Sequence, residues 1–288
     1  MKTFNFLLGS ALSLLVVTGA NAQPIVATQQ KEYVAKKITE TLTVDGKANE
    51  GFWATAKKED IKEYWNNTAD GDMSPESPAD WAGNFKAGFN DTAIALFVSV
   101  TDNVVDKVPD GTKDEWWKWD CIEFFFYNAD TLRDASRVLR DSNLVQLRVN
   151  PIDQFSRVTG LYVPTWWLGE DWDDKNVNWK FVKTTLGYDL EILFDTTVHK
   201  SKFDFSKPIG FDIHYHDSDK DHTVKGKGFW NNDQSNDAYN DANQLGKMSF
   251  ELPTNTNNVR VSQTVFAYPN PASDKLYLSE SVKMVELF

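Results

Sequence analysis

From Trp81 to Phe89 the sequence keeps a period of two, with Trp81, Gly83, Phe85, Ala87 and Phe89 on one face; after Asn90-Asp91 a second apolar run extends from Ala93 to Val100. Successive side chains of a strand leave opposite faces, so two such runs joined by a turn dipeptide predict a β-hairpin. Similar short runs recur at Ile122 to Tyr127, Leu144 to Asn150, Tyr188 to Phe194, Ile209 to His216 and Lys247 to Leu252, and helical periodicity is nearly absent. Many short strands between Gly, Asp and Asn turns predict an all-β fold, an antiparallel β-sandwich of jelly-roll type. The helical expectations are one turn within Asn49 to Ala56, packing Trp53 on the sheet, and a short polar segment from Thr131 to Leu139. Two insertions break the rhythm: Val163 to Trp179, which holds Trp166, Trp167 and Trp172, and Asp217 to Asn243, rich in Asp and Asn around Phe229-Trp230. Loops of such length inside a compact domain tend to carry function.

A chain of 288 residues suffices for one large β domain with a real core. Its net charge of −12 argues against nucleic acid, whose phosphates need clustered Lys and Arg. Residues 1–22 carry Lys2, an apolar run from Phe6 to Val17 and Ala20-Asn21-Ala22, the order of a cleaved secretory signal. No later run is long enough for a transmembrane helix. Cys121, the only cysteine, excludes an internal disulfide and reads as a small buried apolar residue. The expected domain runs from 37 to 252, followed by a linker over 253–264, of which Pro253 to Asn258 has the composition.

Trp116-Trp117-Lys118-Trp119-Asp120-Cys121-Ile122-Glu123-Phe124 is the stretch that points to chemistry. Alternation sends Ile122, Phe124 and Phe126 to one face and Glu123 to the other, directly behind a tryptophan-rich loop. Aromatic plates beside a fixed carboxylate suit a sugar, whose C–H faces stack on indole and whose hydroxyls need acceptors. On the Leu144 to Asn150 strand, Gln146 and Arg148 share a face. Trp230, in an Asn-rich loop with Asn231 beside it, is a second stacking candidate, and Trp166-Trp167 a possible second platform.

Val44-Asp45-Gly46 with Asn49-Glu50 and Trp53, Ala95 to Val98 leading into Val100-Thr101-Asp102, Asp120 to Phe125, Gly187 to Ile192, and Ile209 to Ile213 resemble, in order, the family-nine carbohydrate-binding modules. The resemblance implies a β-sandwich that grips the end of a glycan between two tryptophans, often with structural calcium and in company with glycan-degrading enzymes. It assigns ligand binding to Trp117, Glu123, Arg148 and Trp230, with Gln146 and Asn231 as neighbours, and implies a poly- or oligosaccharide partner, xylan- or cellulose-like. Residues 265–288, with Tyr268-Pro269-Asn270-Pro271-Ala272 and Asp274-Lys275-Leu276, resemble the start of a type-nine secretion sorting domain (type A), cut short at Phe288, which implies a surface or secreted location and a secretion machinery as partner.

Calcium, if held, has Asp102, Asp217 and Asp219 as candidate ligands, although Asp217 to Asp221 fails as a helix-loop-helix calcium motif because His222 stands where glycine is needed. His214 and His216 share a strand face, without further zinc ligands in sequence. No organic cofactor is expected. No nucleophile elbow, phosphate loop or zinc-protease motif occurs, so no catalysis is expected from this chain. The alternatives are a haem-binding electron-transfer module of similar sandwich fold, with Met73 or Met248 as axial ligand, and an accessory part of a glycoside hydrolase.

Overall fold

The computed structural model describes residues 30–67, 71–109, 115–128, 143–151, 161–162, 176–198, 203–219, 224–231 and 236–252, with two short strands further on. The first half of the chain forms β1 (Glu32–Lys37), α1 (Gly51–Thr55), β2 (Lys58–Ile61), β3 (Glu63–Tyr64), β4 (Asn66–Asn67), β5 (Gly71–Asp72), β6 (Trp81–Phe89), β7 (Ala93–Asp102), a 3-10 turn (Trp116–Lys118) and β8 (Cys121–Tyr127). The second half forms β9 (Leu144–Val149), β10 (Leu161–Tyr162), β11 (Val177–Lys183), β12 (Gly187–Asp195), β13 (Ile209–Ser218), β14 (Val224–Phe229), a 3-10 turn (Ala242–Gln244), β15 (Gly246–Glu251), β16 (Ala267–Tyr268) and β17 (Tyr277–Leu278). The hairpin expected around Asn90-Asp91 is β6–β7, paired from Trp81↔Asp102 to Phe89↔Ile94.

The strands join in the order β10-β9-β8-β13-β15-β1-β6-β7-β12-β11, with β14 on β13 and β2 on β6. Pairing is antiparallel except at β1, which runs parallel to both β15 and β6. β1 is thus the seam at which the sheet folds over into two layers. Rings from the two layers meet in the core: Phe124 and Phe126 of β8 lie 5.3 and 5.1 Å from Phe194 of β12, and Phe211 of β13 lies 5.7 Å from Phe85 of β6. The all-β sandwich is therefore the observed fold, with one parallel strand where antiparallel pairing was expected throughout.

β1 was not foreseen and begins ahead of the expected domain start at 37. Its exposed Glu32, Val34 and Lys36 hide the alternation, but Tyr33 and Ala35 are fully buried. β14 falls inside the expected Asp217 to Asn243 loop, and β11 takes the end of the other insertion, with Trp179 buried in the core. Thr131 to Leu139 and Trp166, Trp167 and Trp172 lie outside the described residues. No helix among the described residues is long and apolar enough to cross a membrane.

The outer faces of the layers are covered unequally. α1 lays Phe52 and Trp53 over Ala95 and Phe97. Glu191 pins that corner: its carboxylate accepts Trp53 Nε1 at 3.1 Å and the backbone N–H of Asp45 and Gly46 at 2.9 and 3.1 Å, which explains the distant Val-Asp-Gly, Trp and Glu motifs as one hydrogen-bonded unit. On the other layer, Ala238, Ala242 and Leu245 pack over Phe125, Tyr127 and Leu144. That cover explains why β8 is apolar on both faces, and the space beside it is the site.

Candidate functional site

The uncovered part of this outer face is built by register. Arg148 (β9), Glu123 (β8), His214 (β13) and Phe229 (β14) stand side by side across four strands. Gln146, Phe125 and Asp212 form the next row, and Cys121, His216 and Lys227 the row beyond. Period two sends the intervening Ile122, Phe124, Ile213 and Tyr215 into the core. Two elements rise over the rows: the 3-10 turn carrying Trp117, and the segment from Asn236 carrying Tyr239. Each follows a residue in the left-handed region, Glu115 at φ 58° and Asn236 at φ 52°. Together they enclose a cavity of about 380 Å³ floored by Glu123, Phe125, Gln146 and Arg148, a size suited to a small ligand.

Glu123 is the centre of its polar network and only 2 % exposed. Its Oε1 accepts from Arg148 Nε at 2.8 Å, from Arg148 Nη2 and from Gln146 Nε2 at 2.8 Å; its Oε2 lies 3.2 Å from His216 Nε2. Burial pushes the Glu123 carboxyl up, but Arg148, then His216 and Lys227, outweigh it and hold the group well below the usual carboxylate range. Burial, reinforced by Lys227, lowers His216 to about 4, so it is neutral near pH 7. His216 Nδ1 lies 2.9 Å from the Trp117 carbonyl and Nε2 3.2 Å from Glu123 Oε2; both partners only accept, so the single proton of the neutral ring serves one of the two. Glu123 supplies acceptor oxygens, with the Arg148 guanidinium and the Gln146 amide as donors beside them. Adjacent acceptors and donors are what the vicinal hydroxyls of a sugar require.

Trp117 is 40 % exposed and its ring lies over the Arg148 guanidinium, 5.8 Å from centroid to Cζ. Tyr239, 46 % exposed, lines the same cavity. Of the residues expected from sequence, Trp117, Glu123, Gln146 and Arg148 come together here. Trp230 does not. Following Phe229 on β14, it turns to the opposite, core face, where it is 1 % exposed and packs 5.7 Å from Phe85 and 5.6 Å from Phe211. Asn231 is also corrected: its Nδ2 donates to Gln244 O at 2.6 Å and its Oδ1 accepts Lys31 N at 3.1 Å, so its side chain ties the chain together away from the cavity. Tyr239, His214, His216 and Lys227 also line the cavity and were not among the expected site residues. The alternation of Asp212, His214 and His216 along β13 was the available signal; Tyr239 had none.

A second cluster lies at one end of the sandwich, where Asp102 ends β7, Asp120 precedes β8 and Asp217 nears the end of β13. Carboxylate oxygens of these three buried residues lie within 4.8 Å of one another. Burial first, and then neighbouring acids, raise Asp102 to about 6 and Asp217 to about 8. Asp120 was not foreseen here, whereas Asp219 is exposed beyond the strand and outside the trio. Among the described residues, His214 and His216 face Asp212 and Glu123 rather than forming a zinc cluster. Met248 is buried in the core and does not line the cavity.

Residues 44–252 match the family described as Carbohydrate family 9 binding domain-like. Among solved structures, the chain is similar to a carbohydrate binding module family 9 from Caldicellulosiruptor kristjanssonii in complex with cellotriose. The TM-score is 0.58 at 15 % identity, over 81 % of this chain and 100 % of that one. The same module in complex with glucose gives a TM-score of 0.58 at 15 % identity, over 78 % and 98 % of the two chains. A putative carbohydrate-binding protein from Bacteroides uniformis gives 0.52 at 16 % identity, over 77 % and 100 %. No curated protein sequence matches.

Proposed function

The chain belongs to the carbohydrate family 9 binding domain-like family, and from that premise we propose that its cavity holds the end of a plant-type β-glycan, xylan- or cellulose-like, without chemistry of its own. The observation that carries the reading is the pairing, in one cavity, of two exposed aromatic rings with a buried, charge-paired polar floor. Trp117 and Tyr239 supply apolar faces for a terminal sugar. Glu123, with Arg148 and Gln146, takes its hydroxyls. The cello-oligosaccharide in the similar module fits this ligand class.

Covering about 100 Å² of apolar surface at one ring contributes roughly 2.5 kcal/mol at about 25 cal/mol/Å², near sixtyfold in affinity. Titration calorimetry with cellotriose and xylotriose, free and with reduced ends, is the test. Trp117→Ala and Tyr239→Ala, each shown to be folded, are expected to lose binding by about that factor. Full binding by both variants would move the site elsewhere.

The family's calcium belongs to the same proposal, at Asp102, Asp120 and Asp217. All donors are carboxylate oxygens, the set a hard cation prefers. Asp102 Oδ2 is buried without a hydrogen-bond partner, as a ligand atom would be. A bound cation supplies charge neutralisation there; the residues hold it between the two layers. We also propose that the leader at 1–22 and the tail from 265 serve export to the surface or medium, in support of polysaccharide degradation by a partner glycoside hydrolase.

A further inference from the structure

The acidic cluster and the cavity share their supports. On β8, Glu123 follows Asp120 by three residues; on β13, His216 and Asp217 are consecutive and leave opposite faces of the strand. The turn that presents Trp117 is fastened between the two sites. Asn150 Nδ2 donates to the carbonyls of Trp116 and Asp120, at 3.0 Å each. The imidazole Nδ1 of His216 lies 2.9 Å from the Trp117 carbonyl. The Asp120 carboxylate in turn accepts the backbone N–H of Asp106 at 2.6 Å and of Ser218 at 2.8 Å.

Carboxylate oxygens of Asp102, Asp120 and Asp217 lie within 4.8 Å of one another, and Asp102 Oδ2 is buried without a hydrogen-bond partner. Asp120 is the member next to the turn, so a cation that ties its carboxylate to Asp102 and Asp217 also ties down the segment that presents Trp117. We infer that a divalent cation bound by Asp102, Asp120 and Asp217 fixes the Trp117 turn, so that cation and glycan binding are coupled. The inference rests on the glycan reading of the cavity and on the cation assignment above. Linkage makes the coupling reciprocal: glycan strengthens cation binding by the factor with which cation strengthens glycan binding.

The experiment is titration of the full chain with cellotriose, in calcium and in excess chelator, with folding checked by circular dichroism in both. The expected result is about five- to tenfold weaker binding without calcium, within the usual range of coupling between sites. Asp102→Asn, which touches neither the turn nor the cavity, is expected to bind cellotriose as weakly in calcium as the wild type does in chelator. Without sugar, calcium is expected to change the acrylamide quenching of Trp117, read as the difference between wild type and Trp117→Phe. Equal cellotriose affinity in calcium and chelator overturns the coupling, as does the absence of any calcium binding by calorimetry. If cellotriose is bound in neither condition, the glycan reading fails, and the quenching decides separately whether the cation fixes the turn: an unchanged signal overturns it, and a changed one supports it.

Discussion

Glu123 must stay ionised with almost none of its surface in water, and Arg148 makes that possible. Because the folded-state value lies below the ordinary 4.5, the pair's contribution is complete above that pH and is lost as pH falls through the folded value. His216, lowered to about 4, remains neutral over the same range. With calcium saturating at every pH, so that the acidic trio stays loaded, glycan affinity is therefore expected to stay flat between roughly pH 5 and 8; a midpoint near 6 in calorimetric titrations under that condition would contradict this account of the floor. Glu123→Gln keeps the shape but removes the charged acceptor, which should weaken binding by about 1.5–3 kcal/mol. It also leaves Arg148 buried without its counter-ion, a change that typically costs about 3–5 kcal/mol of stability. Loss of affinity together with a lower melting temperature is the expected pair of results.

At the scale of elements, the seam strand carries a prediction of its own. Tyr33 and Ala35 are fully buried, and the Tyr33 hydroxyl donates to Lys57 O at 2.7 Å and accepts the Ala87 N–H at 2.7 Å. Deleting residues 30–37 would strip both β15 and β6 of a partner and open two sheet edges. The expected product is aggregated or molten, by gel filtration and thermal melting; a monomer with unchanged melting would show that the layers close without β1. This strand was also the least legible in sequence. Where both faces are buried or one is apolar, as at β6, β7, β8, β12 and β13, the pattern stood out. β1 puts only two apolar side chains into the core between exposed ones, and its parallel partners lie far away in the chain. The site was legible where alternation alone decides facing, at Glu123, Gln146 and Arg148. It was misread at Trp230 because β14 went unrecognised: Gly226 and Gly228 break its apolar pattern, and without the strand there was no way to know that Trp230 turns inward. A Cβ at Gly228 would come within 2.1 Å of the Tyr215 ring, so the residue that hid the strand is required by its packing.

For the whole molecule, the cation proposed at the acidic trio would make stability depend on an ion. Asp102 and Asp217 come from different layers, so a cation between them clamps the sandwich at the end where the chain crosses from β7 to β8. A ligand at a hundred times its dissociation constant stabilises by about 2.7 kcal/mol, or roughly 5–10 °C of melting temperature for a domain of this size. Chelation is expected to lower the melting temperature by that amount, and elemental analysis to find the ion in the untreated protein. Identical melting curves with and without chelator, and no metal found, would remove calcium from the account.

The partner strands on either side of the seam are made at very different times. Glu32 pairs with Lys247, and at about 5–20 residues per second roughly 10–40 s of synthesis separate them. Until β15 emerges from the ribosome, β1 has only its short pairing with β6, and the seam that joins the two layers is incomplete. Contacts so distant in sequence also form slowly once both strands exist. The join between the two layers at β1 can therefore be completed only after residue 251 has been made, late in the synthesis of a chain of 288 residues.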